Sequence, residues 1–303
     1  MGKKSICIVA FSGRHLPKLV KLLSEIIDEV HVVAIGTNFE RLKIMKNIHL
    51  NEVIHKPSSE KIMRIINYVQ TQFKVLAKLI SCTSTKTYLF FVGGESLIIP
   101  LILLKFLRKN VILLLGGIAV KAYAARKDPF TTFLSIVISF SFHLANRIIC
   151  YSKSFVTDAG INKYWYKIVI LGEHFIDFTV FETYKKVNSR LDIVGYVGRF
   201  SEEKGILNFV RAIPLILERN QATRFIICGE GDLTPKIMEI IKNVQGKERI
   251  TLVGPIPHRD VPRYLNEMKL LILPSYTEGL PNIVLEAMAC GTPVLATPVG
   301  AIP

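Results

Sequence analysis

The sequence predicts an α/β protein of two doubly wound domains with parallel sheets. Three observations carry this. Across residues 191–303, short apolar runs alternate with longer amphipathic ones, the signature of repeated β-α units. The short runs are continuously apolar rather than alternating, as strands covered on both faces must be. Glycine or proline punctuates each change of pattern.

Taken in order, the second half has expected strands at 193–197, 224–228, 250–253, 270–273 and 293–296. Helices are expected between them at 206–218, 234–244, 260–268 and 282–289. The first half is less regular but of the same kind. Its expected strands are 6–11, 31–35, 88–92, 111–115 and 147–151, and its helices 16–27, 61–80, 97–107 and 130–145. Residues 172–190 are polar, aromatic and weakly periodic, so the connection is expected there. This divides the chain into domains 1–180 and 181–303. No solenoid-length repeat or low-complexity tract interrupts it.

Half of the 303 residues are hydrophobic, which allows a large buried core. The five cysteines, Cys7, Cys82, Cys150, Cys228 and Cys290, are dispersed and odd in number. That argues against a disulfide framework or a zinc site and for a reducing compartment. The apolar run at 6–11 is too short for a signal peptide and reads as a first strand. Residues 97–107 are broken by Pro100 and Lys105, and residues 131–145 are dotted with Ser, Thr and His143. Neither reaches the ~20 apolar residues of a spanning helix, so buried or interfacial helices are expected.

The formal charge is +15, and all of it lies in the first half. Residues 1–190 hold 27 Lys and Arg against 12 Asp and Glu, whereas residues 191–303 hold 12 of each. The basic half is expected to meet something anionic: a phospholipid surface, a phosphorylated acceptor or nucleic acid. It carries no recognised nucleic-acid motif, so nucleic acid is not the expected partner.

In doubly wound sheets ligands bind outside the carboxyl ends of the strands, so the loops that follow strands matter most. After the fourth strand of the second half runs Tyr276-Thr277-Glu278-Gly279-Leu280-Pro281-Asn282-Ile283-Val284-Leu285-Glu286. Pro281 suits a first helical turn. The amides of Asn282 and Ile283 then sit at the positive end of a helix dipole, a ready phosphate site. Glu286 lies about one turn, ~6 Å, further on, within reach of a ribose diol. Glu278, on the preceding loop, faces the other side of the phosphate, where a sugar would lie. The alternative is an ordinary loop-to-helix junction with two solvated glutamates.

After the first strand comes Gly198-Arg199-Phe200-Ser201-Glu202-Glu203-Lys204-Gly205. Arg199 and Lys204 there could clamp a diphosphate and neutralise the departing nucleotide. The loop is neither a Walker A loop nor a G-x-G-x-x-G fingerprint. Two weaker loops follow other strands: Gly229-Glu230-Gly231, whose glycines let backbone approach a ligand, and Val253-Gly254-Pro255 with His258-Arg259-Asp260-Val261.

Together these loops resemble the nucleotide-binding half of the retaining glycosyltransferase family 4, the group 1 enzymes of the GT-B fold. The matching features are Gly198-Arg199 with Lys204-Gly205, Gly229-Glu230-Gly231, the stretch from Val253 to Val261, and Glu278 and Glu286 with seven residues between them. Pro274-Ser275, Gly279-Leu280-Pro281-Asn282 and Gly291-Thr292-Pro293-Val294 fit as well. The resemblance implies that Glu278 and nearby amides contact the donor sugar, that Glu286 holds the ribose, and that Arg199 and Lys204 hold the diphosphate. It implies transfer with retention of configuration and with no cofactor or metal, the donor phosphate acting as base.

The first half resembles the family loosely, through 145–152 and 170–177. Where many members carry His-Gly, this chain has Leu115-Gly116-Gly117-Ile118. His15, His143 and His174 are the candidates for that role. Members also continue past the point where this sequence stops, with further β-α units and a last helix. The expectation is therefore two Rossmann-like domains of GT-B type, the second cut short. The expected activity is sugar transfer from a nucleoside diphosphate-sugar to a glycan or lipid-linked acceptor. The protein is expected in the cytoplasm, with its basic half at the anionic inner face of the cell membrane. A truncated, non-catalytic relative that binds nucleotide sugar or a partner is the alternative.

Overall fold

The computed structural model describes residues 4–303 apart from 12–15, 37, 38, 44, 46, 83 and 172–175. The chain divides into two compact units. The first is Met1–Val120 with Pro129–Gly172, and the second is Lys121–Asp128 with Glu173–Pro303.

The first unit holds a parallel sheet of seven strands: β1 (Ser5–Phe11), β2 (Glu29–Ile35), β3 (Ile48–Val53), β4 (Thr87–Phe91), β5 (Asn110–Leu114), β6 (Arg147–Cys150) and β7 (Ile168–Ile170). Their order is β3-β2-β1-β4-β5-β6-β7, so the winding reverses between β1 and β4. The helices are α1 (Leu16–Ser24), α2 (Glu40–Lys43), α3 (Lys61–Ile80), α4 (Ile98–Phe106), α6 (Thr131–Leu144) and α7 (Lys153–Asp158), while α5 (Ala119–Ala125) lies mostly in the Lys121–Asp128 segment of the second unit. Right-handed crossovers put α1 and α2 on one face of the sheet and α3, α4 and α6 on the other. On the α1 face, Leu16, Leu19 and Val20 pack onto Ile8, Ala10, Val30, Val32 and Ala34. Each such side chain contributes about 1.5–3 kcal/mol when removed from water.

The second unit holds a five-stranded parallel sheet: β8 (Ile193–Val197), β9 (Arg224–Cys228), β10 (Ile250–Gly254), β11 (Leu270–Leu273) and β12 (Val294–Ala296). The order is β10-β9-β8-β11-β12, which places the switch point between β8 and β11. Between the strands run α8 (Ile206–Arg219), α9 (Thr234–Lys242), α10 (Val261–Glu267) and α11 (Asn282–Ala289). α8 buries Ile206, Phe209, Val210, Ile213 and Leu217, an i, i+3, i+4 stripe laid against Tyr196, Phe225 and Ile227.

The strands and helices expected in the second half all form, several with the expected ends. In the first half β3 and β7 were not foreseen. β3 is an edge strand with one buried residue, Val53, and its apolar alternation, Ile48 and Leu50, ends at Glu52, too short to read as a strand. β7, at the other edge, is three residues long and mostly exposed. All five cysteines are free and buried.

Candidate active site

The loops after β8 and β11 flank the switch point of the second sheet, and they meet there. Lys204 Nζ donates to both oxygens of Glu278, at 2.6 and 2.8 Å. Ser275 Oγ donates to Glu278 Oε1 at 2.7 Å. The Glu278 side chain is 6 % exposed and that of Lys204 24 %, so this is a largely desolvated ion pair. The sequence expectation assigned Lys204 to the diphosphate and Glu278 to the donor sugar, and the contact between them is an addition to it. Here each holds the other in place. The two loops are also joined through backbone: Tyr276 N donates to the Glu203 carbonyl at 2.9 Å.

Local geometry forces this meeting. Gly205 has φ +63°, and a β-carbon there would overlap the Pro274 carbonyl oxygen. Gly300 has φ +62°, and a β-carbon there would overlap the Glu278 and Gly279 carbonyl oxygens, while Ala301 N donates to the Gly279 carbonyl at 2.8 Å. Only glycine lets these loops lie so close.

Arg199 is anchored by Glu203, its Nη2 lying 2.8 Å from Oε1. Arg126, from the Lys121–Asp128 segment of the same unit, donates Nε to Oε2 at 2.9 Å and Nη2 to Oε1 at 2.6 Å. Burial alone would push the Glu203 carboxyl up, but the Arg126 guanidinium and a backbone N–H outweigh it and hold it at about 2. A carboxyl depressed in the folded state adds stability above its unfolded pKa, and loses it as pH falls through the folded one. We therefore expect a Glu203-dependent loss of stability between pH ~4.5 and ~2. Acid titration of wild type and Glu203→Gln by circular dichroism checks this, since only the wild type should show that component. Neither Glu203 nor Arg126 stands out in the sequence, because nothing in the spacing ties residue 126 to residue 203.

Glu286 lies on α11, buried, with Oε1 2.7 Å from Nε2 of His258. The His258 ring is tilted against Phe181, with centroids 5.2 Å apart. Pro281 caps α11 rather than entering its first turn: it has φ −74° and ψ 121°, and the helix begins at Asn282, followed by Ile283. Gly279 is buried and Leu280 half-buried. Thr277 Oγ1, on the same loop, is buried without a hydrogen-bond partner within the protein. Buried polar atoms are nearly always satisfied, so this hydroxyl calls for a ligand or solvent partner.

The glycines after β9 have a packing reason. A β-carbon at Gly229 (φ +141°) would strike the Gly198 carbonyl, and one at Gly231 (φ +157°) would strike the Phe200 backbone. They let the second loop lie on the first. Val253 falls at the irregular step of the β10–β9 register, between Leu252 and Gly254. Gly254 accepts from Gly229 N at 2.7 Å. The structure thus brings Arg199, Lys204, Glu278, Gly229, Gly231 and Gly279 to adjoining loops, with Glu286, Asn282 and Ile283 on the helix that follows.

Of the three histidines considered for the first half, His15 and His174 lie outside the described residues. His143 Nδ1 is 2.9 Å from the Ser139 carbonyl and 2.8 Å from Tyr164 Oη. It sits at the C-terminal end of α6, which leads into the start of β6, away from the carboxyl ends of the strands. It is a helix-end packing residue.

Residues 192–303 match the sequence family described as "Glycosyl transferases group 1". Over nearly the same stretch the chain is 37 % identical, across 107 residues, to the Vi polysaccharide biosynthesis protein VipC/TviE of Salmonella typhi. Residues 192–303 thus resemble the group 1 glycosyltransferases in sequence. The VipC/TviE alignment covers 35 % of this chain and 18 % of that protein. The amylovoran biosynthesis glycosyltransferase AmsK of Erwinia amylovora is 32 % identical over 113 residues, covering 35 % of this chain and 28 % of AmsK. The alpha-D-kanosaminyltransferase of Streptomyces kanamyceticus is 31 % identical over 110 residues, 36 % of this chain and 28 % of that enzyme. The chain thus matches between a sixth and a third of the length of these relatives.

Solved structures extend the likeness of fold to both units of the chain. Sucrose-phosphate synthase from Thermosynechococcus elongatus superposes with TM-score 0.77 at 17 % identity, over 99 % of this chain and 82 % of that one. Anabaena HepE in complex with UDP and glucose gives TM-score 0.71 at 17 % identity, over 98 % and 81 %. The fold is GT-B, two Rossmann-like units with parallel sheets.

Proposed function

We propose that the protein transfers a sugar from a nucleoside diphosphate-sugar to a glycan or lipid-linked acceptor, with retention of anomeric configuration. The observation that carries this is the junction of the β8 and β11 loops. There Lys204, Arg199 and a buried Glu278 converge at the switch point of a sheet whose sequence matches the group 1 glycosyltransferases. Arg199 and Lys204 would hold the diphosphate and neutralise the charge that develops as it leaves. Glu278, held in place by Lys204 and Ser275, would accept from the donor-sugar hydroxyls. Glu286 would hold the ribose, with His258 orienting one of its oxygens. The amides of Asn282 and Ile283 open α11 towards the phosphate. The basic first unit would take the acceptor, with the protein working at the inner face of the cell membrane. UDP and UDP-glucose are the first probes, because the HepE complexes hold them.

The test is a thermal-shift screen of nucleoside diphosphates and nucleotide sugars, since a ligand that binds only the folded state raises its melting temperature. UDP or another diphosphate should raise it, and Arg199→Ala and Lys204→Ala should each weaken binding by about 1–3 kcal/mol. Unchanged affinity in both variants would remove the proposed donor site. The sequence has no Asp-x-Asp, and two cations stand where such a motif would bring a metal. Donor binding and transfer should therefore survive EDTA, and a strict Mg²⁺ or Mn²⁺ requirement would overturn the metal-independent form of the proposal.

A further inference from the structure

α3 is a 20-residue helix whose outward side is apolar. Ile62, Ile66, Val69, Phe73, Leu76 and Ile80 recur at spacings of four and three, which places them in one stripe about 27 Å long. The stripe is not the side that packs onto the unit, because the buried residues are Thr71, Gln72, Val75 and Leu79. Ile62 is 67 % exposed, Phe73 55 % and Ile80 59 %. The stripe does not stand alone. α3 and α6 are joined by Tyr68 against Phe133 and by the Arg64 guanidinium over Phe130. On α6, Phe133, Ile136 and Phe140 are exposed, and on α4, Ile102 and Phe106. All three helices cover the same face of the seven-stranded sheet. Monomeric soluble proteins rarely leave so continuous an apolar surface in water.

Charge decides what covers it. α3 carries Lys61, Arg64, Lys74 and Lys78 and no acidic residue. α4 adds Lys105, and α6 contributes no Asp or Glu. A second copy seated on this face would set cations against cations in either orientation: an antiparallel pair would put Lys61 and Arg64 opposite Lys74 and Lys78. An anionic lipid surface accepts both properties at once, apolar side chains into the acyl boundary and lysines at the headgroups.

We propose that the α3–α4–α6 face is the membrane-docking surface, with α3 lying in the interface plane and its Ile62–Ile80 stripe inserted. This rests on the membrane position put forward above and names the surface responsible. α3 was not among the segments that hydropathy alone brought forward (97–107 and 130–145), because its mean hydropathy is diluted by four cations and several amides.

The test is sedimentation with phosphatidylcholine vesicles containing about a third phosphatidylglycerol, against pure phosphatidylcholine, at low and high salt. Wild type should pellet with the anionic vesicles at low salt. Ile66→Ser with Phe73→Ser, and separately Lys74→Glu with Lys78→Glu, should each lower partitioning roughly tenfold or more. All these positions are exposed, and both double variants should keep the wild-type circular dichroism spectrum. The UDP-induced thermal shift, measured on the same samples, should be unchanged in both. Wild type remaining in the supernatant, either double variant pelleting like wild type, or equal binding to neutral vesicles would overturn the proposal. So would a solution dimer that Ile66→Ser with Phe73→Ser converts to monomer. Vesicle binding without any nucleotide-induced shift would leave this surface standing and remove the donor site instead.

Discussion

Glu278→Gln is expected to lower the rate of sugar transfer by about 10²–10³-fold, the scale of removing one placed electrostatic group from a reacting centre. The amide keeps the volume of the carboxylate but not its charge. It leaves Lys204 Nζ, now 2.6 and 2.8 Å from the two carboxylate oxygens, beside a neutral group. Because the pair is largely buried, the substitution should also cost about 1–3 kcal/mol of stability. The two effects can be separated. Adding Lys204→Met to Glu278→Gln removes the unpaired charge and should restore part of the melting temperature, while transfer stays low. Transfer measured with a UDP-sugar donor, beside melting curves for the single and double variants, gives both numbers. A Glu278→Gln protein that transfers at the wild-type rate would end the assignment of Glu278 to the donor sugar.

Arg190→Met is expected to have the largest effect on stability, a loss of about 3–5 kcal/mol, because several buried acceptors lose their charged donor at about 1–3 kcal/mol each. Arg190 is 3 % exposed. Its Nε donates to the Lys185 carbonyl at 2.8 Å and its Nη2 to the Cys290 carbonyl at 2.7 Å. Its Nη1 reaches the Met268 carbonyl and Thr292 Oγ1, both at 2.8 Å, and the Leu265 carbonyl at 3.2 Å. These acceptors include the ends of α10 and α11, where the helix dipoles are negative and a cation is favoured. Methionine fills similar space but leaves these acceptors without their charged donor. For a unit of this size the melting temperature should fall by roughly 10 °C or more. Arg190→Lys should rescue little, because one ammonium cannot reproduce the fork. Differential scanning calorimetry of both variants decides it, and a melting temperature within a degree or two of wild type would refute the role given to Arg190.

Such a hub could not be read from residues 172–190, which look polar and weakly periodic. Its acceptors come from three places in the chain, brought together only once α10 and α11 pack beside the connection. Arg126 illustrates the same limit, since its partner Glu203 is distant in sequence and no periodicity relates them. The pairing of Glu278 with Lys204 is a third case. Both residues stood out in the sequence as strand-following charges, but their contact depends on β8 and β11 being neighbours across the switch point.

What the sequence by itself determined is local or periodic in character. Continuous apolar runs marked the strands of the second unit, and the amphipathic stripe of α8 was visible as an i, i+3, i+4 pattern. The glycines of the strand-following loops, and the chemistry of Arg199, Lys204, Glu278 and Glu286, were legible because each strand-to-helix loop carries its own signal. What only the tertiary structure decided is which of these groups touch. It decided that Gly229 and Gly231 serve loop-on-loop packing, that His258 holds Glu286, that β3 forms at an edge although its apolar alternation is short, and that the apolar stripe of α3 faces outward. In each case the physical reason is the same. Strand order and loop contact are long-range properties, set by which apolar faces find one another, and a period of two or of 3.6 residues carries no information about them.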